Sequence, residues 1–373
     1  MLLHNLSYFK DLVQDQLFPY LREKLGNFNE FHQKVAAVLA LTEPENFVPR
    51  CFRPKGRPVK DRGKIARAFV AKATLNISNT KEILDRLKYD HSLRIICGWD
   101  YPHSIPSEAT FSRSFREFSN SELPEQIHQA LVRVSYKDSI ICHSSRDATD
   151  IPAREKSKRP KSKEATKRSS RGGPPGGSRS KTAKQKNSGL GWKELFNDIP
   201  KECDSGSKVS SKRTRMYWMG YKLHADVSDD GIPLSCLLSS ASCSDTMLAI
   251  PLSQKTDERV TVLYELMDRA YDATAVREFI TDSGRVPVIQ KKPRNQIMKQ
   301  EMAQESMAQK LLNFRPIPDY RLSKRTVVER FFSDLKDNYA GRFFRYRTHA
   351  KVFCHMMFSV VALTATKIIN KLC

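Results

Sequence analysis

Between Arg154 and Lys186 the chain reads mainly as Lys, Arg, Ser, Gly and Pro, with Glu155 and Glu164 as its acidic residues. Such a stretch cannot bury enough apolar area to offset the entropy of ordering it, so it is expected to be disordered or loosely ordered. That expectation constrains the rest: the 373 residues must fold from segments on either side of a long polar interruption. A chain of this length suits two domains, or one larger domain with an appendage, and can bury sizeable cores without staples. The tract also adds to a general excess of base, 64 Lys and Arg against 41 Asp and Glu, for a formal net charge of +23. A positive field of this size attracts polyanions, and nucleic acid is the usual partner because neutralised phosphates release counterions. A solvated linker would share the tract's composition, so charge points to DNA or RNA without naming a reaction.

Residues 1–135 read as helices. Ile65, Phe69, Val70 and Ala73 keep an apolar stripe at helical spacing, with Lys64, Arg67 and Lys72 outside it. Asn79, followed by Glu82 three residues on, resembles a capping box. A short helix is expected over Leu93, Ile95 and Ile96, and Ser107 can cap another that carries Phe111, Phe115 and Phe118. Basic outer faces suit this helical domain to DNA binding; packing or dimerisation alone is the rival reading.

The cysteines form no CxxC pair and show no zinc-finger spacing, so a zinc site is not expected. Cys142, Cys236 and Cys354 lie in apolar stretches and are expected to pack as small hydrophobes. The N-terminus has no Arg/Lys-led apolar run of the signal-peptide kind. Val352 to Ile369 is apolar but contains His355, Ser359, Thr364, Thr366 and Lys367, which predicts a buried core helix rather than a membrane span. A reducing, aqueous compartment follows, with no membrane and no small-molecule substrate.

From Ser139 the texture changes. Ser139 to Asp147 reads as a strand. Beyond the tract, Trp192, Leu195 and Phe196 suggest a helical island, before the chain turns basic again at Lys208 to Arg215. The irregular insertion is therefore placed at about 154–215, inside a second domain of residues 136–373. Tyr217 to Asp226 and Ile232 to Ser239 read as strands joined by the turn Asp229-Asp230-Gly231. A helix over Asp245–Gln254, a strand over Val260–Met267, a helix capped by Asp272, a strand near Pro287–Gln290 and further helices complete an α/β pattern.

Three carboxylates hold distinctive positions. Asp147 lies at the end of the first strand and Asp268 at the end of a later apolar strand, where side chains converge on a ligand without filling the core. Glu329 lies on a helix that runs from Ser323 to Lys336, and at ~100° per residue Arg325, Glu329 and Lys336 share one stripe. Hard cations such as Mg²⁺ take oxygen ligands, and a pair of them can activate a nucleophilic oxygen and stabilise a leaving one. Arg325 and Lys336 could hold phosphates. Rival assignments stay open: Asp150 in place of Asp147, though alternation puts the two on opposite faces, and Glu329 as an ordinary helix pair with Arg325. His224 reads as structural.

Asp147-Ala-Thr, Met267-Asp268-Arg-Ala-Tyr-Asp272 and Arg325-x3-Glu329-x6-Lys336 resemble the three signature regions of bacterial insertion-sequence DDE transposases. The nearest likeness is to the four/five-type superfamily with its Tyr-Arg-Glu-Lys signature, here with Leu322 at the Tyr position and Tyr320 close by. Gly220-Tyr-Lys-Leu-His224, Gly231-Ile-Pro233, Cys97-Gly-Trp99 and Ile105-Pro-Ser107 are similar to that group too. The resemblance implies an RNase-H-like mixed sheet with flanking helices, preceded by an all-helical N-terminal domain. It further implies catalysis by Asp147, Asp268 and Glu329 through two Mg²⁺ or Mn²⁺ ions, with Arg325, Lys336 and Lys222 on DNA phosphates. The expected partners are double-stranded terminal inverted repeats and target DNA, bound by a homodimer in the cytoplasm at the bacterial nucleoid. A derived DNA-binding protein without cleavage, and a nuclease that cuts but does not join, are the alternatives.

Overall fold

The computed structural model describes residues 6–26, 28–49, 60–137, 139–157, 189–209, 214–291, 293 and 295–372. Most of the basic tract (158–188), Cys51 and Cys373 lie outside the described residues.

Strand β1 (Ile140–Pro152) is the axis of a six-stranded mixed sheet. On one side it pairs antiparallel with β3 (Arg215–Ser228); on the other it pairs parallel with β5 (Thr261–Met267), which pairs parallel with β6 (Val286–Ile289). β3 turns back into β4 (Pro233–Ser240) through Asp229-Asp230-Gly231, where Gly231 takes φ 79°, a conformation that favours glycine. β5 and β6 are linked by a helix, Thr274–Asp282. The α/β class and mixed sheet read from the sequence are borne out.

Regular structure begins earlier than expected after the tract. Trp192–Asn197 forms the helical island, and Asp204–Val209 forms β2, paired antiparallel with the first half of β3. Chain with charged residues at 204–209 becomes a strand because β3 is longer than its hairpin partner and presents unpaired backbone that β2 satisfies. The expectation of irregular chain through 215 is corrected over 189–209. Gly220 marks the changeover: Pro152 and Asp204 both pair with it, and an added Cβ would meet the Ile151 carbonyl oxygen at 2.2 Å.

The C-terminal helix His349–Leu372 explains how the two ends of the chain meet. It is long and apolar enough to cross a membrane, yet 78% of its apolar window is buried against the N-terminal helices and β4. Phe69, Phe111, Phe115, Phe118 and Phe358 join one core with Leu223, Leu238, Phe331 and Leu335. The expected helices over Ile65–Ala73, after Asn79, over Leu93–Ile96 and over Phe111–Phe118 all form. Asn79 Oδ1 accepts from the Glu82 N–H at 2.8 Å. Ser107 occupies the cap position without capping; its hydroxyl meets Thr110 Oγ1 at 3.3 Å instead.

Two further expectations are corrected. Lys72 is buried, not on an outer face, because the C-terminal segment covers that side of its helix: its Nζ lies 5.6 Å from the Tyr346 ring centre. Burial pushes its pKa down to about 7. Cys236 and Cys354 are buried as expected, whereas Cys142 is exposed, sharing a strand face with exposed Ile140 while Ile141 points into the core.

Candidate active site

Sheet register sets the site. The last parallel pair of β1 and β5 is Arg146 with Met267, so Asp147 and Asp268 are the next residue on each strand. Asp147 does not end its strand as expected; β1 continues to Pro152 along β3, and what ends at Arg146 is its pairing with β5. That ending is what leaves room beside Asp147. Asp268 accepts from the Ala270 N–H at 2.9 Å, which fixes the turn after β5.

Glu329 arrives on the helix Thr326–Asn338, whose Val328, Phe331, Phe332 and Leu335 are buried. Arg325 is the N-cap residue of that helix rather than part of one continuous helix from Ser323. Its guanidinium spans two carboxylates, donating to Asp147 Oδ2 at 2.7 Å and Glu329 Oε1 at 3.1 Å. Glu329 is the most exposed of the three acids, its side chain 56% accessible against 26% for Asp147. With Arg325 between them, Asp147, Asp268 and Glu329 do not draw within 4.8 Å of one another.

The Asp147 carboxyl is pushed up to about 6. Burial is the main cause and the Asp268 charge adds to it; Arg325 and the Ala148 N–H pull the other way without prevailing. Asp150 shifts in the opposite direction. Burial raises it, but the hydrogen bond from Lys208 and the charge of Lys336, 3.4 Å away, outweigh that and lower it. Strict alternation would have separated Asp147 and Asp150, yet both pair with basic residues of the same C-terminal segment. The long side chains of Arg325 and Lys336 reach β1 where β5 no longer flanks it.

The other expected residues are occupied differently. Lys222 donates to the Cys243 carbonyl at 2.9 Å and to Asp245 at 3.0 Å. Asp272 does not cap the helix Thr274–Asp282, whose N-cap is Ala273; it pairs with Arg277 at 2.9 Å. His224 is structural, fully buried with Nε2 2.9 Å from Ser239 Oγ. Sequence reasoning missed Asp245 and Tyr271. Burial, then the charges of Asp245, Asp147 and Asp268, push the Tyr271 hydroxyl well up, and that hydroxyl has no hydrogen-bond partner. The signal was present in Met267-Asp268-Arg-Ala-Tyr271, where Tyr271 follows the acid by three residues.

The donor set fits a hard divalent cation. Asp147 and Asp268 offer carboxylate oxygens close enough to raise the proton affinity of Asp147, and Glu329 can swing in from an exposed position. A cation would relieve the repulsion that a proton otherwise relieves.

No curated protein matches the chain. The family described as "Transposase domain" matches residues 20–117, within the helical N-terminal region. The family described as "Transposase DDE domain" matches residues 139–365. That second match takes in β1, β5 and the helix of Glu329, and it covers more than half of the sequence, so the chain belongs to the transposase DDE-domain family: it is a DNA transposase of the insertion-sequence kind.

Proposed function

We propose that Asp147, Asp268 and Glu329 are the catalytic acids of this transposase and its ligands for two Mg²⁺ or Mn²⁺ ions. Members of the family generally work with divalent cations. Bound there, the ions would polarise the scissile phosphate and lower the pKa of the attacking oxygen. The observation that carries the reading is the pair of acids set side by side by the β1–β5 register, with Asp147 strained toward its protonated form.

The chain's own residues supply the rest. Arg325 screens Asp147 and Glu329 from each other and is released to grip a phosphate oxygen when the acids are otherwise neutralised. Lys336, partly buried beside Asp150, adds positive potential on the same helix. Asp268, fixed by the Ala270 N–H, keeps its carboxylate aimed while Glu329 moves. The substrates are double-stranded terminal inverted repeats and target DNA, engaged by a homodimer at the nucleoid.

The test is incubation with linear DNA carrying the flanking repeats and Mg²⁺, scoring strand cleavage and strand joining separately. Cleavage with joining is expected. Cleavage without joining would make the protein a nuclease, and specific binding with neither would overturn the catalytic assignment.

A further inference from the structure

Four residues before Asp147 on β1, His143 is buried and engaged at both ring nitrogens. Nδ1 lies 2.9 Å from Asp229 Oδ2, in the turn between β3 and β4. The His143 backbone N–H donates to the same carboxylate at 3.1 Å. Nε2 lies 2.6 Å from Arg321 Nη1, and because a guanidinium only donates, Nε2 carries the lone pair and Nδ1 the proton. Arg321 also stacks on Tyr264 of β5, its Cζ 3.8 Å from the ring centre. Cys142 Sγ is 3.8 Å from His143 Nε2, and among the described cysteines Cys142 alone is exposed. One ligand atom from each of Cys142, His143 and Asp229 lies within 4.8 Å of the others.

We propose that Cys142, His143 and Asp229 form a site for a thiophilic divalent cation of the Zn²⁺ class, separate from the three catalytic acids. Thiolate, imidazole and carboxylate together are donors for borderline-soft ions, and three protein ligands leave a fourth position to water. Mg²⁺ is hard and prefers oxygen, so the two sites select different ions. Binding removes the thiol proton to solvent, and the thiolate and Asp229 then bring two negative charges that balance the two positive charges of the ion.

Binding also opens the Arg321 clasp. If Nε2 takes the ion, the lone pair that accepts from Arg321 is occupied. If Nδ1 takes it, the ring proton moves to Nε2 and faces a donor. Arg321 stands four residues before Arg325, which bridges Asp147 and Glu329. An ion at Cys142 therefore loosens the segment that brings Glu329 to the strand acids, and makes the transposase sensitive to thiophilic metals.

The test uses the full chain in a non-thiol reductant with excess Mg²⁺, which occupies oxygen sites, titrated with Co²⁺ as a spectroscopic probe. A sulfur-to-cobalt charge-transfer band should saturate at a single equivalent and be displaced by Zn²⁺. It should vanish in Cys142→Ser, an exposed and conservative change, and Asp229→Asn should weaken apparent affinity by about tenfold or more. Absence of the band in the wild type, or its persistence in Cys142→Ser, would overturn the site whatever becomes of the catalytic assignment. Zn²⁺ added to the Mg²⁺-loaded enzyme should slow DNA cleavage by the wild type and not by Cys142→Ser; equal inhibition of both would overturn the link to Arg321.

Discussion

Arg146 and Asp147 are neighbours on β1, and alternation sends them to opposite faces of the sheet. Arg146 enters a closed network under the helix Asp245–Asp257. It forks onto Asp226 with two bonds of 2.7 Å, meets Glu265 at 2.9 Å and donates to the Ala249 carbonyl at 2.8 Å. Thr256 adds a bond of 2.6 Å to Asp226, and Arg285 pairs with Glu265 and Asp257. Two arginines answer the two buried acids, Asp226 and Glu265, and Asp257 lies at the exposed rim of the network. Asp147, one residue on, has a single guanidinium shared with Glu329 and a second acid as neighbour. Charges matched and closed hold an architecture together. Charges left short of neutral and open to solvent are free to take a ligand.

If the contrast is sound, the two faces fail in different ways. Asp147→Ala, Asp268→Ala and Glu329→Ala should each lower cleavage by about two orders of magnitude or more, the scale of removing one preorganised electrostatic group. DNA affinity, which rests on many basic residues, should stay within a few-fold. Any of the three retaining wild-type turnover in Mg²⁺ would remove that residue from the set. Arg146→Met should instead destabilise the fold by about 3–5 kcal/mol, because it strands buried carboxylates without a partner. Urea unfolding would read this, and a variant as stable as the wild type would show that the buried network is not what holds this face. Asp147→Asn in the same experiment should not destabilise.

How legible was this contrast in the sequence? The strands carrying the acids were readable, Val260–Met267 as an apolar run that stops before Asp268 and Ser139–Asp147 as a strand whose true end, Pro152, lies beyond the acid. Glu329 was readable from its spacing with Arg325 and Lys336. The network of Arg146, Asp226, Glu265 and Arg285 was not, because Arg146 stands 80 residues before Asp226 and the two meet only through register. The same holds for Asp229, which joins Cys142 and His143 from a turn 86 residues away from His143. The partner of Lys222 was illegible for a related reason: strand alternation fixes its face, but not the Asp245 that a later helix sets against it. β2 was hidden because Lys208 masks a strand that exists only to extend β3.

A subtler test uses pH. The Asp147 carboxyl binds a proton more tightly in the folded protein, with its pKa near 6 against 3.8 for the ordinary group. Its contribution to stability is present below about pH 4 and lost as pH rises through about 6. Without divalent ions, the wild type should therefore lose stability relative to Asp147→Asn across that window. Asp150 is depressed, so its contribution is present at higher pH and lost on acidification. Asp150→Asn should give the opposite profile. At limiting Mg²⁺, cleavage should rise up to about pH 6 and then level, as the proton competing with the ion leaves Asp147. Parallel stability profiles for the two variants would erase the distinction drawn between these acids.

The smallest expected effect concerns how DNA is held, and it contrasts the folded helices with the basic tract. Deleting residues 1–120 is a poor probe, because Phe69, Phe111, Phe115 and Phe118 share a core with Phe358 and their loss would expose the C-terminal helix. Substitution on the outer surface avoids this. Lys81, Arg86 and Lys88 are exposed on the helix Thr80–Tyr89, and Arg113 and Arg116 on the helix Glu108–Asn120. A folded helix can present side chains to base edges in the major groove, where a well-placed pairing discriminates by about 1–3 kcal/mol. Changing these residues to Gln should narrow the preference for terminal repeats over random duplex. The tract from Lys158 to Lys186 is by sequence mainly Lys, Arg, Ser, Gly and Pro, a composition suited to phosphate contact rather than base reading, so deleting it should weaken all duplexes alike. For every phosphate that the shortened chain no longer neutralises, the slope of log K against log salt should flatten by about 0.9. Salt series on both variants, with repeat and random DNA, separate the two contributions. A tract deletion that alters sequence preference, beside helix substitutions that do not, would assign base reading to the tract.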